Sequence, residues 1–341
     1  MEVLAPWIHG MLKNISWVLL GILAAALLFV YTQQAQTTKA IQDCIKQYSL
    51  TSQTLDCVTY QESADTLHSL DAALDQQTAL YIQEGKATRV SIFVRDLETK
   101  QWASTNENQT YDPASLIKLP LMIAYYKAAD VDPSTLTTQL MYTVSTSTGD
   151  TMQDFLSQAN LVPGQMYSVE QLIEAMIIDS DNNAAGVLQA HLYPGIFQNT
   201  LIDFGITIPR SNNTYDFVTA KTYSNIFRML YNASYLTRNY SQKALDLLAS
   251  STFKALAKPL PSSVVVADKF GEREFDDANG NPVSRQLHDC GIVYKDTRPY
   301  SICIMTEGAN FGDLQSISKR FLTWRIKNYK RGRSLHIAIA P

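Results

Sequence analysis

The stretch QLHDCGIVYKDTRPYSICIM, residues 286–305, is the part of the chain that decides its fold. Two apolar runs flank the short polar segment KDTR, a pattern typical of two antiparallel strands joined by a turn. A turn centred between Asp296 and Thr297 places Cys290 opposite Cys303 on one face of the strand pair. Directly opposed residues approach to roughly 5 Å, close to disulfide distance. A disulfide is therefore one interpretation, and two buried free thiols are the other.

Further strand and helix patterns surround this pair on both sides. The segments with apolar alternation or apolar runs, read as strands, are residues 90–94, 101–104, 263–269, 286–294 and 299–305. The segments with helical spacing are residues 67–85, 116–129, the mostly helical stretch 150–250, and 314–329. Two strands, a helical insert, three strands and a final helix predict an α/β (α+β) fold, in which helices and an all-helical lobe flank a five-stranded antiparallel sheet.

Composition narrows the classes of function. With 46% hydrophobic and 18% charged residues over 341 positions, the chain is long enough to bury a sizeable core. A formal net charge of -4 means that there is no basic excess, so nucleic acid is not an expected partner. The five histidines lack a ligand spacing such as H-x-x-x-H, and no phosphate-binding glycine-rich loop is present. We expect neither a metal nor a cofactor.

One long apolar run, ISWVLLGILAAALLFVY, occupies residues 15–31. It carries no charge and has the length of a short membrane span, so we interpret it as a transmembrane helix. A cleavable signal peptide and a buried core helix are the alternatives, but no A-x-A-like site follows the run and nothing polar interrupts it. Lys13 before the run and Lys39 and Lys46 after it leave the orientation undecided.

This interpretation predicts a membrane-anchored domain organisation. The expected parts are a cytoplasmic segment at residues 1–14, the transmembrane helix at 15–31, a polar stalk at 32–65, a catalytic domain at 66–330 and a tail at 331–341. The protein would cross the cell membrane once, with the catalytic domain extracytoplasmic. An even number of cysteines outside the cytosol suggests disulfides, and only their proximity in sequence pairs Cys44 with Cys57.

The segment DPASLIKLP, residues 112–120, carries the first candidate site. Ser115 precedes Lys118 by three positions, so on a helix both side chains lie on one face, adjacent across a turn. A serine hydroxyl is a weak nucleophile, and a lysine can serve as its base if burial or a neighbouring cation lowers the lysine pKa. Backbone N–H groups at a helix start would also lie near the reacting carbonyl. Taken alone, the segment is better explained by a helix cap and a solvated lysine.

Two later segments are ambiguous in the same way. In DSDNN, Ser180 and Asn182 can present a proton-relaying hydroxyl and an amide to one cavity, although Ser, Asp and Asn are also ordinary N-cap residues. In ADKFGE, at a predicted strand end, Lys269 supplies positive charge and Gly271 permits close approach of a substrate backbone. The alternative for this segment is a strand terminus that enters a turn.

Together, in this order and with these separations, the three segments resemble the S-x-x-K, S-D-N and K-T-G motifs of class A β-lactamases and penicillin-binding proteins. The resemblance extends over about residues 67–328, where strands and helices follow that family's order. It implies a β-lactamase/transpeptidase-like fold and acyl transfer from an amide through a serine ester. The implied substrate is a β-lactam or a peptidoglycan stem peptide.

The resemblance also implies catalytic roles. Ser115 would be the acylated nucleophile, and Lys118 would be its activating base or relay. Ser180 would pass a proton to the leaving nitrogen. Lys269 would sustain the electric field around Ser180 and the substrate carboxylate.

Substrate binding follows by the same resemblance. Asn182 would hold the substrate's amide side chain, and the backbone N–H groups of Ser115 and Glu272 would form the oxyanion hole, with Gly271 beside the substrate. Phe270 departs from the pattern, because the family has a Thr or Ser there whose hydroxyl touches the substrate carboxylate. Nearby charge for that carboxylate would then come from one of three residues, namely Arg273, Arg285 or His288.

A second departure concerns hydrolysis of the acyl ester. Class A enzymes use a water activated by a glutamate on a long loop, whereas residues 205–220 contain no Glu, and Asp216 is their only carboxylate. We expect Asp216 to pair with Arg210 and brace the loop, and a role as deacylating base is the alternative. Without a water-activating group, the acyl-enzyme should persist or pass to an amine, as in a peptidase or transpeptidase.

Three functions therefore follow from the sequence. The first is a membrane-anchored active-site-serine hydrolase of the class A β-lactamase-like family. The second is a D,D-peptidase or penicillin-binding-protein-like enzyme, which the missing glutamate favours. The third is a non-catalytic sensor that binds cell-wall peptides. The intact nucleophile and the two lysines argue against the third, because a binding module gains little from them.

Overall fold

The computed structural model describes residues 22–32, 35, 39, 50–51, 68–144, 157–193, 195–209, 215–253, 256, 260–295 and 298–329. The chain divides into two units, residues 1–49 with 53–60 and residues 50–52 with 61–341. In the first unit, residues 22–32 are helical and expose apolar side chains such as Leu27 and Phe29.

The predicted membrane span falls largely in this first unit. Within the described ranges, the structure has no helix that combines the length and the apolar character needed to cross a membrane. Residues 15–21 of the predicted span lie outside the described residues, as do Cys44, Cys57 and the predicted tail. The transmembrane helix, the stalk and the second disulfide thus stay predictions.

The second unit contains the five predicted strands in the predicted order, together with four short strands that were not predicted. The strands are β1 Arg89–Asp96, β2 Trp102–Thr105, β3 Thr110–Tyr111, β4 Gln139–Met141, β5 Met166–Ser168, β6 Val218–Thr219, β7 Val265–Asp276, β8 Pro282–Tyr294 and β9 Tyr300–Gly308. The α-helices are α1 His68–Gln83, α2 Lys118–Val131, α3 Val169–Ile178, α4 Asn182–His191, α5 Ile196–Asp203, α6 Ala220–Tyr231, α7 Arg238–Ala249 and α8 Phe311–Tyr329. Two 3-10 turns lie at Ala114–Ile117 and Pro133–Thr137.

Five of these strands form one antiparallel sheet in the order β2-β1-β9-β8-β7, which confirms the predicted fold class. Successive side chains of a strand point to opposite faces, so each strand contributes to two cores. On β1, Ile92 packs with α1 and α8 on one face, whereas Phe93 packs with the helical lobe on the other. Burial of each large apolar side chain stabilises the fold by about 1.5–3 kcal/mol.

The β8–β9 pairing confirms the register predicted from sequence. Cys290 lies directly opposite Cys303, and the two form a disulfide across a Cα–Cα distance of 4.0 Å. Both residues are fully buried. On the other side of β8, Cys290 pairs with Lys269 of β7, so the disulfide adjoins this lysine on the sheet.

The predicted end of β7 at Lys269 is wrong. The strand continues to Asp276 because β8 pairs with it along this whole length. The chain turns only beyond Asp276, where Asp277 N–H donates to the Asn281 carbonyl at 2.9 Å and Gly280 adopts a φ of 80°. Lys269 therefore lies in the interior of an edge strand, where pairing with β8 on both sides of it in sequence fixes its backbone more firmly than at a strand end.

Candidate active site

The segment that carries Ser115 is a 3-10 turn, and Lys118 begins α2 directly after it. Sequence spacing predicts one helix for both residues, whereas the helix type changes between them. Leu116 N–H donates to the Pro113 carbonyl at 2.8 Å, and the Tyr223 hydroxyl of α6 donates to the Leu116 carbonyl at 2.8 Å. These bonds fix the backbone on both sides of the serine.

Backbone strain adjoins the same serine. Ala114 has a φ of 45°, in the left-handed region that residues with a Cβ rarely adopt. Strain of this kind costs about 1–3 kcal/mol and persists only where surrounding contacts enforce it. The turn before Ser115 is thus held in a conformation that the local sequence does not favour.

Gly271 packs against this turn from β7. A Cβ atom on Gly271 would lie 2.8 Å from the Pro113 carbonyl oxygen and 3.1 Å from the Leu116 nitrogen. The sequence pattern predicts close approach of a substrate at this glycine, and packing against the turn is a second reason for a residue without a side chain. Only glycine lets β7 pass this close to the turn, and the next residue of the strand, Glu272, is buried beside it.

The DSDNN segment forms the predicted connection between two helices, α3 and α4. Asp181 is the N-cap of α4, where its carboxylate accepts from Ala184 N–H at 2.7 Å and from the Tyr142 hydroxyl at 3.1 Å. Ser180, the residue before this cap, has a φ of 57° and is buried. The cap anchors the connection, so that Ser180 and Asn182 both face Lys118.

Two lysines converge on the Ser180 hydroxyl. Lys118 Nζ donates to Ser180 Oγ at 3.1 Å, to the Ser180 carbonyl at 2.6 Å and to Asn182 Oδ1 at 2.5 Å. Lys269 Nζ donates to the same Ser180 Oγ at 3.0 Å. The structure therefore joins Lys118, Ser180, Asn182 and Lys269 in one network of hydrogen bonds, beside the turn of Ser115.

The charge of Lys269 is sensitive to its surroundings. Burial lowers the pKa of Lys269 to about 7, while the negative charges of three nearby residues, Asp268, Asp289 and Glu272, oppose that shift. Burial and the neighbouring Asp268 raise the pKa of Asp289 well above its usual range. A buried ammonium is costly unless anions compensate it, and here the compensation is incomplete. Near neutral pH this lysine can hold or release its proton.

Phe270 covers the side of the site next to Lys269. Its ring stacks on Phe253 with centroids 3.9 Å apart, and Lys269 Nζ lies 4.4 Å from the Phe270 ring centroid. This distance suits a cation–π contact. Where the family's hydroxyl is expected, the structure has a buried aromatic pair.

The three residues proposed to supply charge for a carboxylate differ in their surroundings. His288 is fully buried, and burial lowers its pKa to about 4, so the expectation that it supplies positive charge is wrong at neutral pH. Arg285 Nη2 pairs with Glu274 at 2.6 Å. Arg273 keeps 41% of its side chain exposed and lies 3.9 Å from Asp112. Of the three, Arg273 is the most accessible cation.

Asp216 is engaged by residues that sequence analysis missed. Its carboxylate accepts from Arg89 Nη2 at 2.7 Å and from Gln286 Nε2 at 3.1 Å, while Gln286 Oε1 accepts from Asp112 N–H at 3.0 Å. The expected partner, Arg210, lies outside the described residues. Arg89 of β1 and Glu307 of β9 carry opposite charges and lie directly opposite each other in the sheet. Since opposite charges often pair across strands, this ion pair could have been predicted from the sequence. An open cavity of about 380 Å³ lies beside it.

The family described as "Beta-lactamase enzyme family" matches residues 73–323. No curated protein matches the chain.

Solved structures of the same fold are similar over most of the chain. The structure of PBP-A is 16% identical, with a TM-score of 0.62, and covers 79% of this chain and 100% of its own. A mutant of PBP-A in an acyl-enzyme complex with penicillin G is also 16% identical, with a TM-score of 0.61, and covers 77% and 98%. The TLA-3 extended-spectrum β-lactamase is 19% identical, with a TM-score of 0.62, and covers 75% and 99%.

Proposed function

The chain belongs to the β-lactamase enzyme family, and we propose that it is an active-site-serine hydrolase that is acylated at Ser115 by a β-lactam. The observation that carries this proposal is the Ser180 hydroxyl, which two lysines hold beside the turn of Ser115. A purely structural role for two buried lysines on one hydroxyl would be costly, because buried cations that share an acceptor repel each other.

Acylation would proceed by proton transfers within this network. The Ser115 oxygen attacks the amide carbonyl carbon, and its proton passes to Lys118, which acts as a base once it has lost a proton to solvent. The C–N bond then breaks as the leaving nitrogen takes the proton of the Ser180 hydroxyl. Lys118 then returns the proton that it took from Ser115 to the Ser180 oxygen, so that the products are the acylated serine and a neutral amine. The backbone N–H groups of Ser115 and Glu272 would bind the oxyanion.

Hydrolysis of the resulting ester is the slower step in this proposal. A water must add to the ester carbonyl and lose a proton to a base. Asp216 is a poor candidate, because Arg89 and Gln286 already occupy its carboxylate. This engagement favours the second candidate function, a D,D-peptidase or penicillin-binding-protein-like enzyme that acts on peptidoglycan stem peptides and passes the acyl group to an amine.

The location of the site is part of the proposal. A transmembrane helix at residues 15–31 would anchor the chain, with the catalytic domain extracytoplasmic, where both β-lactams and stem peptides are found. The penicillin G acyl-enzyme of PBP-A, a protein of the same fold, supports penicillin G as the first substrate to test.

The test is a time course of intact mass for the full-length chain mixed with penicillin G. We expect a covalent adduct on the wild type and none on Ser115→Ala, because no other residue is proposed to attack the β-lactam carbonyl. Ser224→Ala is the matched control, since Ser224 is an equally buried serine that bonds Ser301 outside the site. It should form the adduct like the wild type.

The fate of the adduct separates the two enzymes. An adduct that decays with turnover establishes a β-lactamase. One that persists for hours, and is released faster by added amines, establishes the peptidase-like alternative. If the folded wild type forms no adduct at all, acylation of Ser115 by a β-lactam is refuted.

A further inference from the structure

Arg95 of β1 and Arg228 of α6 lie outside the active site, where α6 packs on β1. Ser301 is the strand partner of Arg95, and its hydroxyl lies 3.0 Å from that of Ser224. Ser224 and Arg228 are four residues apart on α6, so they lie on the same face of the helix, one turn apart.

A second side-chain contact joins α6 to the turn after β1. Tyr231, three residues after Arg228, donates a hydrogen bond from its hydroxyl to Glu98 Oε1 at 2.6 Å. Glu98 in turn follows Arg95 by three residues. The two arginines thus lie between two side-chain contacts that join α6 to β1 and the turn after it.

Donor groups are left unsatisfied in this corner. The Nε atoms of Arg95 and Arg228 and the Thr99 hydroxyl in the turn after β1 are all buried without a hydrogen-bond partner. The nearby carboxylates accept from other donors, Glu98 from the Tyr231 hydroxyl and Asp96 from Arg298 at 2.9 Å. A buried guanidinium N–H without an acceptor costs free energy, and so does a like-charged neighbour.

The electrostatics agree with this geometry. Burial lowers the pKa of Arg95, and the positive charge of Arg228 lowers it further. Arginine stays protonated in proteins, so the repulsion is not relieved by loss of a proton. An anion between the two side chains would relieve it and would also accept from the unsatisfied N–H groups.

We propose that the corner formed by Arg95, Thr99 and Arg228 binds a phosphate-type oxyanion. The planar guanidinium offers paired N–H donors that match two oxygens of a phosphate, and a hydroxyl can supply a third donor. The phosphate group belongs either to free inorganic phosphate or to a soluble or lipid glycerol phosphate. This site is independent of the proposed acylation of Ser115.

The test is thermal unfolding of the full-length chain against inorganic phosphate, with chloride adjusted to hold the ionic strength constant. We expect a saturable rise of about 5 °C in the Tm of the wild type at high occupancy. Arg95→Gln and Arg228→Gln should each abolish this rise. Their Tm without phosphate should be unchanged or higher, because each substitution removes a repulsive charge.

Arg298→Gln is the matched control, since Arg298 is a neighbouring arginine whose partner is Asp96. It should keep the full response to phosphate. Phosphorus NMR line broadening of inorganic phosphate gives a second readout that does not depend on unfolding, should a variant fold poorly. The site is refuted if the wild type shows no response in either measurement, or if both glutamine variants respond like the wild type.

A third titration, with sn-glycerol 3-phosphate, distinguishes the sources of the phosphate group. Tighter binding than inorganic phosphate assigns the site to a glycerol phosphate headgroup. Equal or weaker binding assigns it to free phosphate. Either result requires Arg95 and Arg228 and so supports the site.

Discussion

Ser180 and Asp216 are each held by two neighbouring side chains, yet the two clusters differ in what they can do with a proton. The neighbours of Ser180 are lysines, and Lys269 titrates near pH 7 because it is buried. The neighbours of Asp216 are Arg89 and Gln286, neither of which gives up a proton near neutral pH. The neighbours of Ser180 can supply protons to it, whereas the neighbours of Asp216 only donate hydrogen bonds to its carboxylate.

This difference is the reason for proposing that acylation is the faster step and hydrolysis the slower one. Attack by a serine and expulsion of an amine both need proton transfer, which the two lysines and Ser180 can supply. Attack by water needs a free base, and the carboxylate of Asp216 is already committed to structural hydrogen bonds.

The largest expected effect is that of pH on the proposed acylation. Lys269 is cationic below about pH 7 and neutral above it, so the field at Ser180 weakens as the pH rises. Stopped-flow rates with a chromogenic β-lactam should fall about tenfold per pH unit above 7, roughly 100-fold by pH 9. Lys269→Arg, which stays charged, should remove this fall. A profile that is flat in the wild type from pH 7 to 9 would contradict a cationic Lys269.

The second-largest effect is expected from removal of the disulfide between Cys290 and Cys303. Replacement of both cysteines, Cys290→Ser with Cys303→Ser, should lower the free energy of unfolding by about 2–4 kcal/mol, measured by urea denaturation. Because Cys290 pairs with Lys269 across the sheet, the acylation rate of the folded variant should also fall. A variant that loses stability but acylates at the wild-type rate would show that the disulfide holds the strands without positioning the lysine.

A smaller effect is expected from replacement of Phe270, whose ring stacks on Phe253 next to Lys269. Phe270→Thr should speed acylation by penicillin G about tenfold, since a hydroxyl there can donate to the substrate carboxylate and such a bond contributes about 1.5 kcal/mol. Phe270→Leu removes the ring without adding a hydroxyl and serves as the control. Equal rates in the two variants would mean that the ring acts only by its bulk.

The smallest effect should follow a change in the second cluster. Asp216→Asn keeps the shape of the side chain but weakens its bond to Arg89, so the free energy of unfolding should fall by about 1 kcal/mol. The decay rate of the acyl-enzyme, followed by intact mass, should stay within twofold of the wild type. A decay slowed tenfold or more would instead identify Asp216 as the base that activates water.

Some features of the site could be predicted from the sequence, and others could not. The spacing of Ser115 and Lys118 and the pairing of Cys290 with Cys303 are local properties, set by one turn of chain or by one hairpin, and alternation along strands reveals them. The engagement of Asp216 was not predictable in this way. Its partner Arg89 lies 127 positions away in sequence, and no local pattern connects the two.

The amino-acid sequence alone predicted the five strands of the main sheet, the disulfide register and the residue types of the S-x-x-K, S-D-N and lysine–glycine segments. It did so because hydrophobic periodicity and motif spacing are properties of short stretches. Tertiary structure alone decided three other features: that two lysines share one hydroxyl, that Lys269 is buried enough to titrate near pH 7, and that Asp216 is locked by an arginine. Burial and proximity between distant segments arise only when the chain packs, and these two quantities govern where protons go.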